Sequence, residues 1–157
     1  MSIDVSVASD PHPFMRAALE QARLAEQRGG VPVGAVSVFR GEILAAEGNE
    51  RELRGDPTAH AEMLVLQRTA ALLGEWRCSE VTLVVTLEPC PMCAGALWAS
   101  RVGGVVFGAA DLKAGANGSL YEIGADVRLN HTYEVRGGIL VDECAELLTS
   151  YFEKLRD

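Results

Sequence analysis

Phe14, Ala18, Ala22 and Ala25 recur at helical spacing, which predicts a helix of about four turns beginning near Pro13 and stopping at Gly29-Gly30. The period then changes. Residues 31–39 are rich in valine and apolar on both alternating faces, as in a strand covered on two sides. Arg40-Gly41 supplies a turn, residues 42–47 a hairpin partner, and Gly48-Asn49 its close. Helical spacing returns after Asp56-Pro57-Thr58, where a capping side chain precedes a proline tolerated in a first turn. Met63, Leu64, Leu66 and Leu72-Leu73 form the buried side of that helix, and Gly74 ends it. Residues 81–87 read as another buried strand, and Pro89 and Pro91 mark a second helix entrance, with the helix running to about Arg101. Residues 102–107 form a further strand, whose parallel pairing across the intervening helix requires a right-handed crossover. Residues 109–120 read as a surface loop and 131–135 as a last strand. Residues 142–155 read as a terminal helix with Ala145, Leu148, Tyr151 or Phe152, and Leu155 at helical spacing. Residues 1–12, with Asp10-Pro11 and no periodicity, are expected to be a flexible lead-in to a single domain over residues 13–157.

Composition narrows the class. With 157 residues, 48% hydrophobic and 23% charged, the chain suits one packed domain rather than a disordered segment. No apolar run approaches the roughly 18 residues of a membrane span, and no lysine or arginine precedes Arg16, so the cationic start of a secretory signal is missing. A cytoplasmic protein without membrane attachment is expected. The four cysteines fit a reducing compartment: two form a metal-type pair, whereas Cys78 and Cys144 are isolated and read as small buried residues. His12 and His131 carry no chemical pattern. A formal charge of −8 repels polyanions, so any nucleic-acid contact must be local.

The chemistry concentrates in His60-Ala61-Glu62 and Pro89-Cys90-Pro91-Met92-Cys93. One imidazole and two thiolates make a donor set that zinc prefers, and the two-residue gap lets Cys90 and Cys93 share one helix face and one ion. Three protein ligands leave a tetrahedral position open, which separates a catalytic zinc from a closed structural one. Zinc makes water a nucleophile near neutral pH, and Glu62, two residues past the histidine, is placed to move its proton. A lone Cys-x-x-Cys is often structural or redox-active and a lone His-x-Glu means little. The combination at two helix entrances is what points to a catalytic zinc with an activated water rather than a purely structural ion.

The strings Asp56-Pro57-Thr58-Ala59-His60-Ala61-Glu62, Thr86-Leu87-Glu88-Pro89-Cys90-Pro91-Met92-Cys93-Ala94-Gly95-Ala96 and Val106-Phe107-Gly108-Ala109 together resemble the bacterial tRNA-specific adenosine deaminases, the TadA family. The resemblance extends from Pro13 to Arg156. It implies a three-layer α/β/α cytidine deaminase-like fold with a central mixed five-stranded sheet, one Zn2+ per subunit, and a homodimer. It also implies conversion of the wobble adenosine to inosine in the anticodon stem-loop of an arginine tRNA. His60, Cys90 and Cys93 then correspond to the metal ligands, Glu62 to the proton shuttle and Asn49 to a side chain that hydrogen-bonds the inserted purine. Asp111 and Lys113 fall in the family's RNA-facing loop, where an aspartate can accept from a ribose 2′-hydroxyl. Tyr151 and Phe152 match an aromatic pair on the terminal helix, with Phe152 taken as the substrate-side member. Two departures stand out: Ala110 replaces a basic residue, and Glu153-Lys154-Leu155-Arg156-Asp157 is a weakly basic terminus. Affinity would then rest on Arg51, Arg54, Lys113, Lys154 and Arg156 near the mouth of the site.

Two other functions fit the same motifs. One is a free-base or nucleoside deaminase of guanine or cytosine type, against which Gly115-Ala116-Asn117-Gly118-Ser119 favours the tRNA branch. The other is a zinc-stabilised RNA-binding module without catalysis, against which Glu62 argues.

Overall fold

The valine-rich segments build the sheet. In the computed structural model, which describes residues 2–157, the chain runs α1 (Val5–Ser9), α2 (His12–Gln27), β1 (Gly34–Phe39), β2 (Glu42–Gly48), α3 (Arg51–Arg54) and α4 (Ala61–Leu73). It continues through β3 (Val81–Leu87), α5 (Pro91–Ala99), β4 (Gly104–Ala109), a 3-10 turn at Ile123–Ala125, β5 (Glu134–Arg136) and α6 (Val141–Arg156). The strand order is β2-β1-β3-β4-β5. β1 pairs antiparallel with both β2 and β3, setting Ala35 opposite Val85 and Phe39 opposite Val81. β3, β4 and β5 are parallel, with α5 forming the crossover between β3 and β4. The β1–β2 turn places Arg40 and Gly41 at φ 51° and 81°, the twist that a two-residue hairpin needs.

Successive strand residues face opposite sides, so one strand serves two cores. Ala35, Leu83, Val85, Val105 and Phe107 pack with Ala61 and Val65 of α4 and Leu97 of α5. Val36, Val38, Val84 and Val106 pack on the other face with Val7 of α1, Met15 and Leu19 of α2, and Cys144 of α6. The result is the expected three-layer α/β/α arrangement around a mixed five-stranded sheet. A side chain at Gly34 would collide with the backbone of Ala18 and Ala22, so α2 lies directly against the start of β1.

Several local expectations need correction. The amino-terminal segment is no free lead-in: Ile3 and Val7 are buried, the Asp4 amide donates to Thr82 Oγ1 at 2.8 Å, and the Asp4 carboxylate accepts from Ser6 and Gly41. Two buried apolar side chains are too few to show a period, which is why the sequence conceals this element; Met1 lies outside the described residues. His12 opens α2 instead of belonging to a lead-in. Asp56 does not cap the metal-site helix; it accepts from the amide and hydroxyl of Thr58 in a turn, and α4 begins at Ala61. His131 is a core residue, its Nε2 lying 2.9 Å from the Val102 carbonyl. Cys78 and Cys144 are buried, as expected of small apolar residues. Among the described residues no helix is long and apolar enough to cross a membrane.

Candidate metal centre and nucleotide pocket

Two helix entrances meet at the site. His60 is the N-cap residue of α4 (φ −72°, ψ 152°) and Cys90 that of α5 (φ −75°, ψ 174°), and neither side chain is used to cap its own helix. Pro91 follows Cys90 at the first helical position, where its missing amide donor costs nothing. Cys93 sits in the same first turn, fully buried. His60 Nδ1 lies 3.6 Å from Cys90 Sγ and 3.5 Å from Cys93 Sγ, and the three ligand atoms are within 4.8 Å of one another. Among the described residues no fourth histidine, cysteine or acid joins the cluster.

The electrostatics suit a cation. A hydrogen bond from Cys93, with His60 beside it, draws the Cys90 thiol down to about 4 against the opposing effect of burial. The same bond, together with burial, raises Cys93. The Cys90 hydrogen bond raises His60 against the effect of burial. Glu62, in the first turn of α4 and 4% exposed, is raised mainly by burial, with its own backbone amide and His60 acting the other way. One nitrogen and two sulfurs at mutual distances that a single ion can span, facing two positive helix ends that favour anionic donors, fit zinc.

The cluster opens into a cavity of about 240 Å³ lined by His60, Glu62 and Cys90 together with Asn49, Asp111 and Phe152. Six of the seven residues expected there from family resemblance or motif spacing, beyond the buried Cys93, therefore line one cavity, and Lys113 is the one left outside the lining, exposed on the same loop as Asp111. Asn49 serves two ends. Its amide donates to the Val31 carbonyl at 3.2 Å and its oxygen accepts from the Arg51 amide at 3.1 Å, which holds the turn after β2 and still leaves one donor and one acceptor site free. Asp111 uses Oδ1 to accept from the amides of Lys113 and Ala114, both at 3.1 Å, leaving Oδ2 for a ligand. Phe152 lines the cavity and is 47% exposed, whereas Tyr151 packs edge-on against it with ring centroids 5.2 Å apart.

The expected basic mouth is largely neutralised. Arg51 pairs with Glu52 at 2.8 Å, Arg54 with Glu50 at 2.7 Å and Lys154 with Glu26 at 3.5 Å. Among the described residues, Lys113 and Arg156 make no ion pair. Spacing alone does not settle these pairs: Arg51 and Glu52 are adjacent and Arg54 and Glu50 are four apart, whereas Lys154 meets Glu26 from across the fold. Glu88 is the lining residue that patterning does not single out; its signal is an acid placed between a buried strand and Pro-Cys, and it is only 2% exposed.

Comparison with known proteins extends the geometry. The profile of the MafB19-like deaminases matches residues 9–156. The tRNA-specific adenosine deaminase of Bacillus subtilis (strain 168) is 49% identical over 143 residues, covering 91% of this chain and 89% of the relative. A solved structure from work on A-to-I editing by tRNA:A34 deaminases at the wobble position of transfer RNA superposes with a TM-score of 0.83 at 40% identity. That match covers 87% of this chain and 99% of the other. Guanine deaminase from Nitrosomonas europaea shares the fold at a TM-score of 0.80 and 25% identity, over 96% of this chain and 86% of that one.

Proposed function

The chain belongs to the family of the tRNA-specific adenosine deaminases, and from that membership we propose that it converts the wobble adenosine of a tRNA anticodon loop to inosine with release of ammonia. The observation that carries the reading is the meeting of His60, Cys90 and Cys93 with the buried Glu62 around one cavity.

His60, Cys90 and Cys93 would hold the metal, one ion per chain. Zinc bound there supplies Lewis acidity that makes a water molecule nucleophilic near neutral pH. Glu62 takes the two protons of the attacking water in turn, delivering one to the purine ring nitrogen and the other to the departing amine. The new carbon–oxygen bond replaces the exocyclic carbon–nitrogen bond, so adenosine and water become inosine and ammonia. Asn49 offers the purine its free donor and acceptor, and Asp111 Oδ2 accepts from a ribose 2′-hydroxyl. Phe152 gives the extruded nucleotide an aromatic surface, and Lys113 meets a phosphate. An anticodon loop suits such a pocket because its bases are already unpaired, which keeps extrusion cheap.

The substrate is an arginine tRNA and the working unit a homodimer in this proposal. Support for a second copy lies in α5, whose sequence Pro-Met-Cys-Ala-Gly-Ala-Leu-Trp-Ala has no polar face although Met92, Gly95 and Ala96 stay partly exposed. The fold shared with guanine deaminase makes a free-base substrate the reading to exclude. Turnover is measured on an anticodon stem-loop and on free adenine, guanine, cytosine and cytidine. The proposal expects inosine in the stem-loop and no conversion of the small molecules; turnover of the small molecules alone would replace it with the free-base reading.

A further inference from the structure

Glu88 stands between the last residue of β3 and the Pro89-Cys90 entrance of α5, with its carboxylate turned into the protein rather than to solvent. All four of its polar contacts reach across to one loop. Oε1 accepts from the Asp111 amide at 3.1 Å and from the Ser119 hydroxyl, and Oε2 accepts from the amides of Asn117 and Ser119, both at 3.0 Å. The backbone on either side repeats the link: the Glu88 amide donates to the Ala109 carbonyl and the Ala116 amide to the Pro89 carbonyl, both at 2.8 Å. Gly115 passes so close that any side chain there would collide with the carboxylate.

We propose that Glu88 is a positioning residue, fixing the loop of residues 111–119 against the start of α5 so that the substrate-facing wall is held beside the metal cluster. The proposal rests on the functional reading above, because the wall it sets is the one carrying Asp111. A carboxylate is the group that can do this. Each oxygen takes two donors, and three of the four are backbone amides that cannot turn round to accept. An amide in its place offers one oxygen and one NH2, and in either orientation the NH2 faces at least one backbone N–H. A buried donor left unpaired is costly, so the loop moves.

The test compares wild type, Glu88→Gln and Ser119→Ala on an anticodon stem-loop, recording KM, kcat and zinc per chain. For Glu88→Gln a KM raised by about tenfold or more is expected, with kcat and zinc content kept within about twofold, the pattern of lost uniform binding. Ser119→Ala removes one side-chain donor and should raise KM by a smaller factor, about two- to fivefold, in the same sense. Any other pattern overturns the proposal, including an unchanged KM, or kcat and zinc content falling together as a purely structural role would have it. If Glu88→Gln does not fold, Ser119→Ala decides on the same criterion. Wild-type protein inert on the stem-loop overturns the functional reading and this proposal with it, whereas active wild type with an unaltered KM in the variants overturns this proposal alone.

Discussion

Cys93 Sγ lies 3.5 Å from His60 Nδ1, although a whole helix and a strand of the central sheet separate the two residues in the chain. The contact exists because α4 and α5 both start at the same end of the sheet and pack on the same face, with Ala61, Val65 and Leu97 in one core. Each helix presents its donor before or within its first turn, where unpaired amides and the positive dipole end lie.

Metal content follows from that contact. Wild type should bind one zinc per chain, and His60→Ala or Cys93→Ala should fall well below it. Zinc X-ray absorption should show two sulfurs at about 2.3 Å and nitrogen or oxygen at about 2.0–2.1 Å. Four sulfurs, or none, would contradict the assigned ligands.

Thiol chemistry separates the two cysteine pairs. Burial raises Cys78, with Glu75 adding to it, and raises Cys144 to about 12, with Glu143 adding to it, so both stay protonated and unreactive at neutral pH. Cys90, drawn down to about 4, is a thiolate once the metal is chelated away. Peptide mapping after iodoacetamide treatment at pH 7 should therefore find Cys90 labelled only after chelation, and Cys78 and Cys144 unlabelled while the protein stays folded. Even labelling of all four would contradict the burial.

Most of the architecture was legible in the chain, for reasons that also explain the exceptions. β3 is bounded as expected because Val81-Thr82-Leu83-Val84-Val85 is flanked by clear breaks, and α2 and α6 fall within one or two residues of the expected ends because their apolar sides repeat over several turns. The expected strand over residues 102–107 is shifted to Gly104–Ala109, because the Val102 amide still bonds the Leu97 carbonyl at the end of α5. The last strand shrinks to Glu134–Arg136, since His131 is held by Val102 and Tyr133 donates its hydroxyl to Asn117. The metal donors were legible because their type and spacing alone carry the signal. Glu88 and the Lys154–Glu26 pair were not, because their partners are far away in the chain and only folding supplies them; Arg51–Glu52 and Arg54–Glu50 are local, but spacing alone does not show which acid a surface arginine meets.

Those ion pairs bear on RNA affinity. Lys113 has no acidic partner among the described residues and stands on the pocket loop two residues from Asp111, so Lys113→Ala should weaken stem-loop binding. It should also lower the salt slope of log K by about 0.7, the single-strand value for one phosphate contact. Arg54→Ala should change the slope less, because Glu50 already neutralises that charge. Equal slopes for wild type and Lys113→Ala would remove Lys113 from the interface.

The tight contact between α2 and β1 gives a stability prediction independent of the chemistry. Gly34→Ala drives a methyl group into the backbone of Ala18 and Ala22, neither of which can rotate away. Urea denaturation should show a loss of about 1–3 kcal/mol, as for overpacked cores. An unchanged midpoint would mean that α2 sits farther from the sheet.

The most direct measurement is single-turnover deamination of an anticodon stem-loop by zinc-loaded wild type and zinc-loaded Glu62→Gln, with inosine mapped by position. The account predicts equal zinc in both proteins and inosine at the wobble position with wild type. It further predicts that the variant is slower by about 10² or more, the contribution of one positioned proton shuttle. Inosine formed at the wild-type rate by Glu62→Gln, with its zinc retained, would contradict it.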